Sequence, residues 1–117
     1  MPGDLYFTNE KYMLAVKAMA LGGGALRDRL SDAYQSQAVR AHPPTGGGGP
    51  EMSDVLATRI RSLHERLTAR AEPGIQGSVK ATIGYMSEAE VLAAAEELVA
   101  IQDAVLYELR SHDRAEG

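Results

Sequence analysis

Reactive side chains are scarce in this sequence of 117 residues, which carries three histidines and no cysteine. Without cysteine there is no thiolate nucleophile, no sulfur metal site and no disulfide framework. His42, His64 and His112 fall on separate segments, and no pair has the helical spacing that would turn two imidazoles onto one metal ion. His64-Glu65 also lacks the second histidine three residues on that would complete a zinc-binding helix motif. Each histidine is therefore expected in a solvated or capping role, with no metal and no cofactor. Gly22-Gly23-Gly24, ahead of a helix start, would present backbone N–H groups to a phosphate if Arg27 or Arg29 completed the charge. It lacks a preceding strand and the Lys-Ser/Thr ending of a P-loop, so a hinge between antiparallel helices is the preferred reading.

The densest charge pattern is Arg59, Arg61, Arg66 and Arg70 along one predicted helix. Such a face either meets the phosphates of nucleic acid or pairs with an acidic neighbour, and Glu96, Glu97 and Asp103 of the last helix are the internal candidates. The formal charge is −4 overall, and residues 87–117 carry the acidity. Net acidity argues against non-specific nucleic-acid binding, which Lys and Arg contacts to phosphate mainly supply. Internal pairing is preferred, and a nucleic-acid-binding accessory protein remains as an alternative.

Arg59 and His64, with four residues between them, resemble the Arg-to-His motif of HEPN-type ribonucleases, small all-helical proteins of bacterial toxin and defence systems. The resemblance implies an RNA-cleaving enzyme, usually with the pair doubled across a dimer, in which the arginine stabilises phosphate charge and the histidine assists proton transfer. It covers two residues and the helical class. Ile60 stands where a polar residue commonly follows the arginine, and five positions along a helix turn the two side chains well apart.

The elements that must hold these residues are mostly helical. The longest signal is Met86–Arg110. Ser87 and Glu90 form a capping box, with Met86 and Val91 placed as a hydrophobic staple. Val91, Ala94, Leu98, Ile101 and Val105 make one apolar row, and Leu92, Val99, Leu106 and Leu109 make a second. Two rows predict two neighbours and a central position, leaving Glu96, Ala100, Asp103 and Tyr107 outside. Residues 1–8 read as an arm whose Tyr6 and Phe7 either staple back onto the first helix or anchor another chain. That helix is expected to start after Thr8 or Asn9 and run to about Leu21, burying Tyr12, Met13, Val16, Met19 and Ala20. A second begins near Ala25 and cannot enter Pro43-Pro44. Residues 42–50 form a flexible Gly/Pro loop. A third helix starts at Pro50 or after Ser53 and closes by Pro73-Gly74. A short helix capped by Gly77-Ser78 runs to Tyr85; the alternation of Val79, Ala81, Ile83 and Tyr85 also fits a strand, but no other segment offers one to pair with. The tail, 111–117, is expected to fray.

The expected fold is all-α, a helical bundle of four main helices plus one short helix, in a single domain over residues 1–117. No apolar run is long enough to span a bilayer and no secretory signal opens the chain, so a cytoplasmic protein is expected. Of the 44% apolar residues, 18 are alanines, which favour helix but remove little surface from water. The Ala, Gly and Arg usage fits a high-GC bacterial source. The frame NEKYMLAVKAMALGGGALRDRLSDAY, followed by GSVKATIGYMSEAE, resembles short helical proteins of bacterial genomes. A thin core, segregated charge and no convergent catalytic set point to a non-catalytic helical interaction protein. Its expected role is that of a small subunit or regulator of a bacterial assembly, with the defence type as one candidate. It would bind a protein partner or itself, through Tyr6, Phe7, Arg59, Arg61, Arg66 and Arg70.

Overall fold

Asp4 starts the first helix: its carboxylate accepts from the backbone N–H groups of Tyr6 and Phe7, at 2.8 and 3.4 Å, satisfying donors that a helix leaves open at its first turn. In the computed structural model, which describes residues 4–42, 44, 50–70 and 74–116, α1 therefore spans Leu5–Leu21. This corrects the expected arm over 1–8 and the expected start after Thr8 or Asn9. Thr8 is instead buried inside the helix. Residues 1–3 lie outside the described part.

Gly22 ends α1, with its N–H bonded to the Ala18 carbonyl at 2.9 Å. Gly24 adopts φ +87°, a conformation that L side chains rarely take. After this turn, α2 spans Leu26–Ser36 and passes into a 3-10 turn at Ala38–Ala41. His42 is extended (φ −118°, ψ 135°), as the residue before a proline should be. Most of the loop expected over 42–50 lies outside the described residues.

Ser53 caps α3, Asp54–Leu67, by accepting from Leu56 N–H at 3.1 Å. The helix ends well before Pro73-Gly74. Both the backbone N–H and the hydroxyl of Thr68 bond the His64 carbonyl, at 3.0 and 2.7 Å, and this closes the last turn. The next helix, α4, spans Gly74–Tyr85. Gly77 and Ser78 lie inside it, not at its cap, and the helical alternative for Val79–Tyr85 is the one adopted. Finally α5 spans Glu88–Glu116, so the tail from 111, expected to fray, continues as helix to Glu116. Its start follows the capping box: Glu90 N–H to Ser87 Oγ at 3.1 Å and Ser87 N–H to the Glu90 carboxylate at 2.8 Å. That bond holds the Glu90 carboxyl below its usual pKa.

The chain is all-helical. Among the described residues there are five α-helices and no strand; Asp4 and Glu51 form an isolated bridge, beside a bond from Leu5 N–H to the Pro50 carbonyl at 2.8 Å. Helix α1 packs against α5, α2 and the 3-10 turn, while α3 lies along α5 and α4 on α2. Gln102 on α5 donates to Asn9 on α1 at 2.9 Å. The core runs between these helices through Tyr12, Leu30, Tyr34, Ile60, Leu63, Leu98 and Ile101, all fully buried. Seven of its 24 described apolar side chains are alanines. No described helix is long and apolar enough to cross a membrane.

Candidate functional site

Arg59 and His64 both lie on α3, but they turn to different neighbours. The Arg59 guanidinium makes a forked pair with the Glu97 carboxylate of α5, Nε at 3.1 Å and Nη2 at 2.8 Å. That hydrogen bond raises its already high pKa and pins α3 to α5. His64 faces inward, its Nδ1 lying 2.8 Å from the Tyr34 hydroxyl of α2. Its ring stacks on His42, with centroids 3.6 Å apart and planes 9° from parallel.

Burial lowers the pKa of both imidazoles. For His42 the like charges of His64 and Arg61 add to this, and Glu65 opposes it on both rings. With His64 neutral, Nδ1 and the Tyr34 hydroxyl share one hydrogen bond whose direction is set by the ring tautomer. The Tyr34 pKa is raised, first by burial. The expectation of three separate, solvated or capping histidines is thus corrected for two of them. The grouping of His42 and Tyr34 with His64 was not anticipated, because each comes from a different segment and no spacing links them. Among the described residues, no group of three His, Asp or Glu is placed to hold a metal ion.

The remaining arginines divide. Arg61 and Arg66 are exposed. Arg70 lays its guanidinium over the Tyr85 ring at 3.7 Å, and its backbone N–H donates to Thr82 at 2.9 Å. Tyr6 and Phe7, 56% and 44% exposed, sit in the first turn of α1, where the Lys11 ammonium lies 5.4 Å from the Phe7 ring. Arg27 and Arg29, which a phosphate at Gly22–Gly24 would need, are engaged elsewhere. Arg27 bonds the Ile83 carbonyl and Glu88, and Arg29 bonds the Met19 carbonyl.

The feature that the sequence pattern did not single out is a groove between α1 and α5. It has a volume of about 530 Å³ and is walled by Val16, Met19 and Ala20 on one side and Leu92, Ala95 and Val99 on the other. Leu92 is 51% and Val99 39% exposed. The second apolar row of α5 was expected to meet a second neighbour. Helices α1, α2 and α3 cover the first row, and Leu92 and Val99 stay open to solvent. Helical spacing extends the two walls to Met13, which is also exposed, and to Leu106. Glu96 and Asp103, expected to face the arginines of α3, line this groove instead. Of the three acidic residues named as partners for those arginines, Glu97 is the one that turns to α3.

Comparison with protein families, with curated proteins and with solved structures finds no match for this chain.

Proposed function

We propose that this chain is a non-catalytic helical interaction protein, a small cytoplasmic subunit or regulator of a bacterial assembly, whose protein partner docks in the groove between α1 and α5. In this reading α1, α2, α3 and α5 form a four-helix bundle, with α4 as a fifth helix laid on α2. The supporting observation is the contiguous apolar surface at Val16, Ala20, Leu92 and Val99. Scattered exposed apolar residues are ordinary, whereas a contiguous patch in a concave surface marks a contact site. Burying the open parts of Leu92, Val99 and Met13 would contribute on the order of 1 kcal/mol each.

The alternatives draw less support. RNA cleavage by Arg59 and His64 would require phosphate to displace Glu97 from the guanidinium and His64 to leave Tyr34. For nucleic-acid contact, two of Arg59, Arg61, Arg66 and Arg70, namely Arg61 and Arg66, have no neighbour of this kind among the described residues, and they are set on an acidic chain. Tyr6 and Phe7 remain candidates for widening the docking surface at one end of α1.

A photo-crosslinking residue placed at Val99 tests the proposal in cells of the natural source. A discrete protein adduct is expected there, and it should vanish when Leu92→Asp is added. The same residue at Val55, more exposed at 73% but outside the lining of the groove, should give none. Equal adducts from both positions, or none from Val99, would refute the assignment.

A further inference from the structure

We infer that the occupant of the α1–α5 groove is a basic amphipathic helix from a different polypeptide, and not a second copy of this chain; the inference rests on the docking role proposed above. The groove is apolar along its floor, and its charged lining consists of Glu96 and Asp103. These are seven residues apart on α5, two turns, so the carboxylates lie on one edge roughly 10 Å apart. Both are exposed, and neither has an ion-pair partner among the described residues. Lys17 of α1 is exposed but does not line the groove.

This charge placement selects among occupants. Two copies meeting through α5 across a two-fold axis near Val99 and Ala100 would set Glu96 of one against Asp103 of the other. Like charges brought together in this way oppose the contact. Nucleic acid and anionic lipid headgroups are repelled for the same reason. A cationic chain gains at both positions. Two antiparallel helices present a groove suited to a third helix, read by anchors at i, i+3 or i+4, and i+7. The matching ligand carries Leu, Met or Phe at those anchors. It also carries Arg or Lys seven residues apart on the flank that meets α5.

The probe is an 18-residue peptide with leucine anchors at that spacing on an Ala/Gln background and two arginines on one flank, compared with its twin carrying glutamates there. Titration into the full chain is followed through the methyl resonances of Leu92 and Val99. The arginine peptide is expected to shift both and to bind roughly tenfold more tightly than the twin, with the difference shrinking as salt rises. Glu96→Lys combined with Asp103→Lys should reverse the preference. Equal binding by both peptides would overturn the charge selection while leaving the docking role intact. Absence of any shift would overturn the helical occupant, and a concentration-dependent dimer that Leu92→Asp dissolves would assign the groove to a second copy. Loss of the Val99 adduct in cells is the separate result that removes the docking role itself.

Discussion

Protonating either ring of the His42–His64 stack sets a cation against a neighbour whose centroid is 3.6 Å away. Both folded-state pKa values lie below the ordinary 6.5, so the unfolded chain takes up protons first as the pH falls. Stability should be fully present above about pH 6.5 and decline as the pH drops from there towards the folded-state values. Arg61 reinforces the effect at His42, and Glu65 moderates it at both rings. Urea unfolding of the natural chain should show a lower midpoint at pH 5 than at pH 7.5. His42→Phe, which keeps a stacked ring but cannot bind a proton, should narrow that gap, and an unchanged gap would contradict the assignment. This pairing was not legible beforehand: His42 follows a 3-10 turn that packs on α1 and α2, and its ring meets His64 of α3 across segments that no periodic spacing links. Arg59 was more legible. An internal carboxylate partner was the preferred expectation for the α3 arginines, and Glu97 was among the residues named for it.

At the scale of elements, the outcome depended on whether the signal was local. The Ser87–Glu90 box encodes the start of α5 within four residues, and the structure forms both of its hydrogen bonds. The start of α1 was misplaced because Thr8 and Asn9 are good caps in isolation. Asp4 captures the helix earlier, and Leu5 is bonded to Pro50 far along the chain. Helix α3 closes at Thr68 by a side-chain bond that composition does not announce. At the other end, Ser53 accepts from Leu56 and also donates to the Glu108 carboxylate at 2.6 Å, so one hydroxyl both caps α3 and ties it to α5. Ser53→Ala should therefore lower stability by about 1 kcal/mol, measured by chemical denaturation. Ser53→Gly, which keeps neither bond but suits the cap backbone, should be closer to the natural chain if capping dominates.

For the whole molecule, the frame is set by α5. Its 29 residues span about 43 Å at 1.5 Å per residue, close to the longest dimension of 45 Å. The all-α class and the apolar rows of this helix were readable from its sequence. Both rows were expected to be covered; that Leu92 and Val99 of the second row stay open while its Leu109 is buried was not readable, because only the placement of α1, α2 and α3 decides it. Adjacent residues make the contrast measurable. Leu98→Ala empties a fully buried site and should cost about 2–5 kcal/mol, a large share of the 5–15 kcal/mol typical of a domain. Val99→Ala, on the groove, should cost well under half as much. Similar losses at both positions, read from unfolding midpoints, would mean that Val99 is covered in the free protein.

The clasp at the beginning of the chain carries a mechanical corollary. Because Leu5 bonds to Pro50 and Asp4 bridges to Glu51, tension entering at Asp4 is divided between the leading helix and the base of the third. Peeling the former away like a zipper would first have to unfasten this distant hold, which makes the amino-terminal end a shared anchor instead of a detachable strap.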